Sequence, residues 1–136
     1  MFTHSTDVRV RYGETDQMGF VYYGTYALYY EVGRVEAIRS LGITYRSLED
    51  EGIIMPVVRL TSKYVQPARY DDLLKITSVV KEMPDRLITF HVTIKNQDDQ
   101  LINKAEVILC FRDLHSGQLL RTPPIIQQRL ASYFDQ

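Results

Sequence analysis

Residues Arg11 to Tyr26 read RYGETDQMGFVYYGTY, with a carboxylate at Asp16, a glycine at Gly19 and a tyrosine-rich helical pattern directly after. A carboxylate can attack a carbonyl carbon itself or deprotonate the water that does. The first N–H groups of a helix lack intrahelical partners and carry the positive end of its dipole, so they can hold an oxygen that gains negative charge. An acid beside such amides is the pair that acyl transfer requires. The same residues also read as a plain turn, because Asp ahead of glycine commonly bonds its own backbone. From the residues alone, both readings stand.

Other chemistries have weaker footing. His4, His91 and His115 are far apart and lack metal-ligand spacing, and Cys110 sits on a strand pattern with no activating neighbour. The chain carries no serine elbow, glycine-rich phosphate loop, zinc pattern or dinucleotide fingerprint.

Several elements must position Asp16. Val8, Val10 and Tyr12 alternate with Arg9 and Arg11 as a strand. A five-turn helix is predicted from about Tyr22 to Leu41, capped by Gly42, with Tyr26, Tyr30, Gly33 and Ala37 on one stripe. Gly33 inside it costs about 1 kcal/mol relative to alanine, which points to close packing of another backbone. A short helix over Thr44 to Glu51 ends at Gly52. Four period-two segments follow, around Val58–Tyr64, Leu74–Lys81, Ile88–Lys95 and Lys104–Arg112, joined by short polar turns that suggest successive antiparallel neighbours. Pro123–Pro124 opens a last helix. The layout is α+β: one antiparallel sheet, polar on one face, covering one long helix.

At 136 residues the chain reads as a single domain, 1–136, that is 45% hydrophobic and 24% charged, a globular composition. A net charge of −1 argues against a surface built for nucleic acid. No leader pattern and no apolar run long enough to span a membrane is evident. A single cysteine fits a reducing compartment, and the cytoplasm is the expected location.

The motif T-D-x-x-G-x-V-Y-x-x-x-Y over Thr15–Tyr26, the helix acids Glu31 and Glu36, the Pro67–Asp72 turn and the run of strands together resemble the hotdog-fold acyl-CoA thioesterases, closest to the 4-hydroxybenzoyl-CoA thioesterase-like branch. The resemblance spans residues 6 to 130. It implies a five- to six-stranded antiparallel sheet wrapped around one central helix, and dimers joined edge to edge, often paired into homotetramers. It also implies hydrolysis of an acyl-CoA to free acid and coenzyme A, with no cofactor or metal beyond the coenzyme A of the substrate. Residue by residue, Asp16 matches the catalytic carboxylate, the Tyr23 amide the oxyanion donor, and Glu31 a helix acid that lines the acyl pocket or places water. Gly19, Val21, Tyr22 and Tyr26 fall where substrate is bound. Arg59, Lys63 and Arg86 are candidates for the coenzyme A phosphates. Strand residues around Arg59 to Tyr64 are expected to complete the neighbouring chain's site. The chain departs from the pattern at Phe20, Tyr22 and Tyr23, near which relatives carry His or Asn. Each assignment has a plainer alternative: Glu31 paired with Arg34, the tyrosines as core, the cations as a solvated face. Two other functions fit the same fold, a non-catalytic acyl-thioester binding protein and a hydratase or dehydratase, though the latter calls for a histidine that the helix lacks.

Overall fold

The computed structural model describes residues 1–135. The chain runs β1 (Phe2–Arg9), α1 (Thr25–Ser40), α2 (Tyr45–Asp50), β2 (Ile53–Ile54), β3 (Val57–Tyr64), β4 (Leu73–Val80), β5 (Leu87–Lys95), β6 (Leu101–Asp113), β7 (Leu119–Leu120) and α3 (Pro124–Phe134). All strand pairs are antiparallel, and the main sheet has the order β1-β4-β5-β6-β3. The two-residue strands β2 and β7 extend the far end of β6, giving seven strands where five or six were expected.

Period two sets the sheet's two faces. In β5, Ile88, Phe90, Val92 and Ile94 are buried while Thr89, His91 and Thr93 reach the outer face. The inner face packs on α1, whose Tyr26, Tyr30, Gly33 and Ala37 are all buried. Gly33 marks the closest approach. A Cβ there would lie 2.6 Å from Ile76 Cγ2 and 2.9 Å from Ser78 Oγ on β4, so only glycine admits the strand at this distance. A polar pin holds the same helix to the sheet: Tyr30 Oη bonds Ser62 Oγ at 2.6 Å and donates to the buried Asn103 Oδ1.

Three expectations change. Tyr12 lies in a 3-10 turn, Tyr12–Glu14, and is exposed, because β1 begins at Phe2 and ends at Arg9. Helix α1 begins at Thr25 rather than Tyr22, because the Tyr22 N–H bonds Glu14 O at 2.9 Å and its carbonyl closes a tight turn onto the Thr25 N–H. Strands β3 and β4 are not neighbours: β3 pairs with β6, β4 with β1 and β5. The joint over 65–72 cannot form a hairpin because its backbone is bonded elsewhere. Val65 and Gln66 donate to Ile102 O, Ala68 O accepts Val21 N–H at 2.8 Å, Phe20 bridges Arg69, and Val10 exchanges bonds with Asp71 and Asp72. That crossing brings the end of β3 to the Asp16 turn.

Candidate active site

The turn after β1 is built from short bonds. Thr15 bridges Val21, Asp16 N–H donates to Phe20 O at 2.8 Å, and Gly19 N–H donates to Asp16 O at 3.0 Å. Gly19 has φ +82° with open space around it, so the left-handed backbone, not crowding, requires glycine. Asp16 Oδ1 accepts the N–H of Met18 at 2.9 Å and of Phe20 at 3.2 Å. Both sequence readings of Asp16 therefore concern the same side chain. Oδ1 organises the turn, while Oδ2 has no hydrogen-bond partner among the described residues and the carboxylate is only half-buried.

Asp16 borders a cavity of about 310 Å³ together with Met18, Phe20, Val21, Tyr23, Tyr26 and the segment Tyr64–Pro67. The walls are mainly apolar and aromatic. Tyr26 packs edge-on against Tyr29 and Tyr64, with ring centroids 5.9 and 5.5 Å apart, and Arg69 lies 4.9 Å over the Phe20 ring. Because α1 starts at Thr25, the Tyr23 and Gly24 amides precede its first turn, and neither donates a hydrogen bond within the protein among the described residues. Tyr64 Oη reaches Tyr23 O at 3.4 Å and ties the two sides of the mouth. Burial raises the Tyr26 phenol above its ordinary value, with the Ala68 amide bond opposing and the charges of Tyr64 and Asp72 adding. It therefore stays a neutral wall residue.

Of the sequence candidates, the cavity gathers Asp16, Val21, Tyr23 and Tyr26. Gly19 shapes the turn. Tyr22 stacks on Tyr23 at 4.6 Å and is half-exposed. Glu31 is exposed on α1 and forms no ion pair with Arg34 or any other described residue. Arg59, Lys63 and Arg86 are exposed and lie off the cavity; Lys63 instead borders a groove of about 460 Å³ on the outer sheet face with Lys81, His91 and Lys104. That groove contains neither Asp16 nor the helix-start amides. The cavity residues the sequence does not mark are Met18 and the segment Val65–Pro67. Tyr64, expected to serve the neighbouring chain, lines the cavity of its own. Only the β3–β6 pairing places it there.

A carboxylate with a free oxygen, uncommitted amides at a helix start and an apolar cavity that both border are the parts an acyl-transfer site requires, here on a hotdog sheet. Residues 10–130 match the thioesterase-like superfamily, and the chain belongs to that family, as a thioester hydrolase. It is 35% identical over 102 residues to the acyl-CoA thioester hydrolase YbgC of Escherichia coli, spanning 75% of this chain and 76% of that one. The acyl-CoA thioesterase YbgC of Haemophilus influenzae is 32% identical over 111 residues, 81% of each chain. Among solved structures, the DHNA-CoA thioesterase of Staphylococcus aureus superposes with TM-score 0.86 at 29% identity, covering 98% of this chain and 85% of that one. A 4-hydroxybenzoyl-CoA thioesterase bound to 4-hydroxybenzoyl-CoA shares the fold, with TM-score 0.85 at 20% identity over 95% of this chain and 99% of that one.

Proposed function

We propose that this chain hydrolyses an acyl-CoA thioester to a free acid and coenzyme A, with Asp16 as nucleophile or general base and the Tyr23 amide as oxyanion donor. The observation that carries this reading is the division of labour within Asp16: Oδ1 is held by two amides while Oδ2 is free beside the cavity that Tyr23 shares. Attack on the thioester carbonyl moves charge onto its oxygen, where an uncommitted N–H next to the helix N-terminus stabilises it. Collapse expels the coenzyme A thiolate. If Asp16 attacks directly, water then opens the mixed anhydride; if it acts as a base, water attacks at once. The aromatic walls around Val21 and Tyr26 receive the acyl group, with Gly19 and Tyr22 at the rim. None of the three histidines borders the cavity, which favours hydrolysis over hydration.

The coenzyme A phosphates are assigned to Arg59, Lys63 and Arg86, exposed cations without ion-pair partners among the described residues. A homodimer is favoured by the free edge of β3, where Val57, Val58, Leu60 and Tyr64 are exposed, and by Leu28 and Val32 on the outer side of α1. Glu31 shares that side and would meet the second copy. Two such dimers give the homotetramer. The one cysteine, Cys110, is a free thiol, in keeping with the cytoplasm, and no helix is long and apolar enough to cross a membrane among the described residues.

The test follows thiol release from a panel of aliphatic and aromatic acyl-CoAs by wild type and Asp16→Asn. Asn keeps an oxygen for the Met18 and Phe20 amides, so the turn should hold while rate falls at least about 10²-fold. Full turnover in the folded variant removes Asp16 from the mechanism. Binding across the panel without thiol release makes the chain a binding protein instead.

A further inference from the structure

Two residues before Asp16, Glu14 carries more than its place in a 3-10 turn explains. Its side chain is 14% exposed, and Oε1 accepts both the Arg11 backbone N–H at 2.8 Å and the Tyr29 hydroxyl at 3.0 Å. Oε2 meets the Arg11 guanidinium at 3.4 Å, and the Glu14 backbone carbonyl accepts Tyr22 N–H at 2.9 Å. One residue thus touches Arg11 in the loop after β1, the approach to α1, and the second turn of α1 through the buried Tyr29. Thr15 and Asp16 follow directly, so the Asp16 turn departs from a point that is fixed to α1.

We propose that Glu14 and Tyr29 form a positioning clamp that fixes the Asp16 carboxylate relative to the Tyr23 and Gly24 amides at the start of the same helix. Acyl transfer needs the attacking oxygen and the oxyanion donors on one carbonyl at once, and a shift of about 1 Å costs on the order of 10²-fold in rate. The donors belong to the approach to α1 and the carboxylate to the preceding turn. Glu14 runs directly into the carboxylate's turn through Thr15 and bonds the donors' side twice, by its backbone to Tyr22 and by its side chain to Tyr29. Burial, then the bond to Glu14 and its charge, hold the Tyr29 phenol well above its ordinary ionisation range, with Arg11 opposing, so the donor stays protonated.

This inference rests on the Asp16 reading, and the experiment separates the two. Tyr29→Phe, Glu14→Ala, Glu14→Gln and Asp16→Asn are compared for kcat, KM and thermal unfolding on the best substrate of the panel. Tyr29→Phe and Glu14→Ala should each lose about 10- to 100-fold in kcat with KM little changed. Combining them should cost little more than the worse one, because both break one contact. Glu14→Gln, which keeps an oxygen acceptor, should restore most of what Glu14→Ala loses. The clamp alone is overturned if Asp16→Asn is inactive while folded Tyr29→Phe keeps wild-type kcat, or if Glu14→Gln is as slow as Glu14→Ala. Full activity in Asp16→Asn overturns the carboxylate reading and the clamp together.

Discussion

Among the ten tyrosines of this chain, those on α1 show how single side chains can serve a site without chemistry of their own. Tyr26 walls the cavity, Tyr29 holds Glu14, and Tyr30 pins the helix to Ser62 and Asn103. Burial dominates their titration: Tyr30 is pushed up to about 12, and Tyr26 and Tyr29 are also raised. A phenol harder to ionise when folded contributes stability that is complete below its unfolded value of 10.0 and is lost as pH climbs through the folded value. The urea midpoint should therefore hold steady up to pH 10 as far as these groups are concerned, then fall between 10 and about 12. Phenolate absorbance of the folded protein should lag that of the unfolded chain over the same window. A stability plateau extending unchanged to pH 12 would contradict the burial of these hydroxyls.

At the level of elements, α1 lies against the sheet through Gly33, and a methyl there would press on Ile76 and Ser78. Gly33→Ala gains about 1 kcal/mol of helix propensity but overpacks a tight contact at about 1–3 kcal/mol, so unfolding in urea should show no gain and a net loss of up to about 2 kcal/mol. A more stable variant would mean the helix can lift away without cost. The sequence pointed to close packing at this interior glycine but not to Ile76 and Ser78 of β4 as what packs there. Strands were legible because burial on one face leaves period two, as in Ile88 to Ile94, and helix ends because Gly42 and Gly52 need φ of +82° and +80°. Asp16 and Gly19 were legible as a turn. The partner of β3 was not, since Leu60 alternates the same way whether its neighbour is β4 or β6. With that pairing unknown, the segment Val65–Pro67 could not be assigned to the cavity. The start of α1 was missed because tyrosines at helical spacing continue back to Tyr22, whose N–H belongs to Glu14.

On the scale of the whole molecule, the proposed dimer uses the free β3 edge and the exposed Leu28 and Val32 of α1. Leu28→Lys with Leu60→Lys places charges on both surfaces, and sedimentation should show a shift to monomer while the circular dichroism stays native. A wild type that sediments as monomer would refute the dimer directly. The crossing of the chain between β3 and β4 has another consequence, for synthesis. Strand β3 pairs only with β6, and the cavity wall at Tyr64–Pro67 hangs from the end of β3, anchored to Ile102 by the amides of Val65 and Gln66. A nascent chain that has made the turn, α1 and even β4 and β5 can bond the far end of that segment to Val10, Phe20 and Val21, but still lacks the strand that holds β3 and its Tyr64–Pro67 end. The proposed catalytic corner near the start of the chain is thus completed by residues made near its end, and a polypeptide held on the ribosome should gain thioesterase activity only once β6 has emerged.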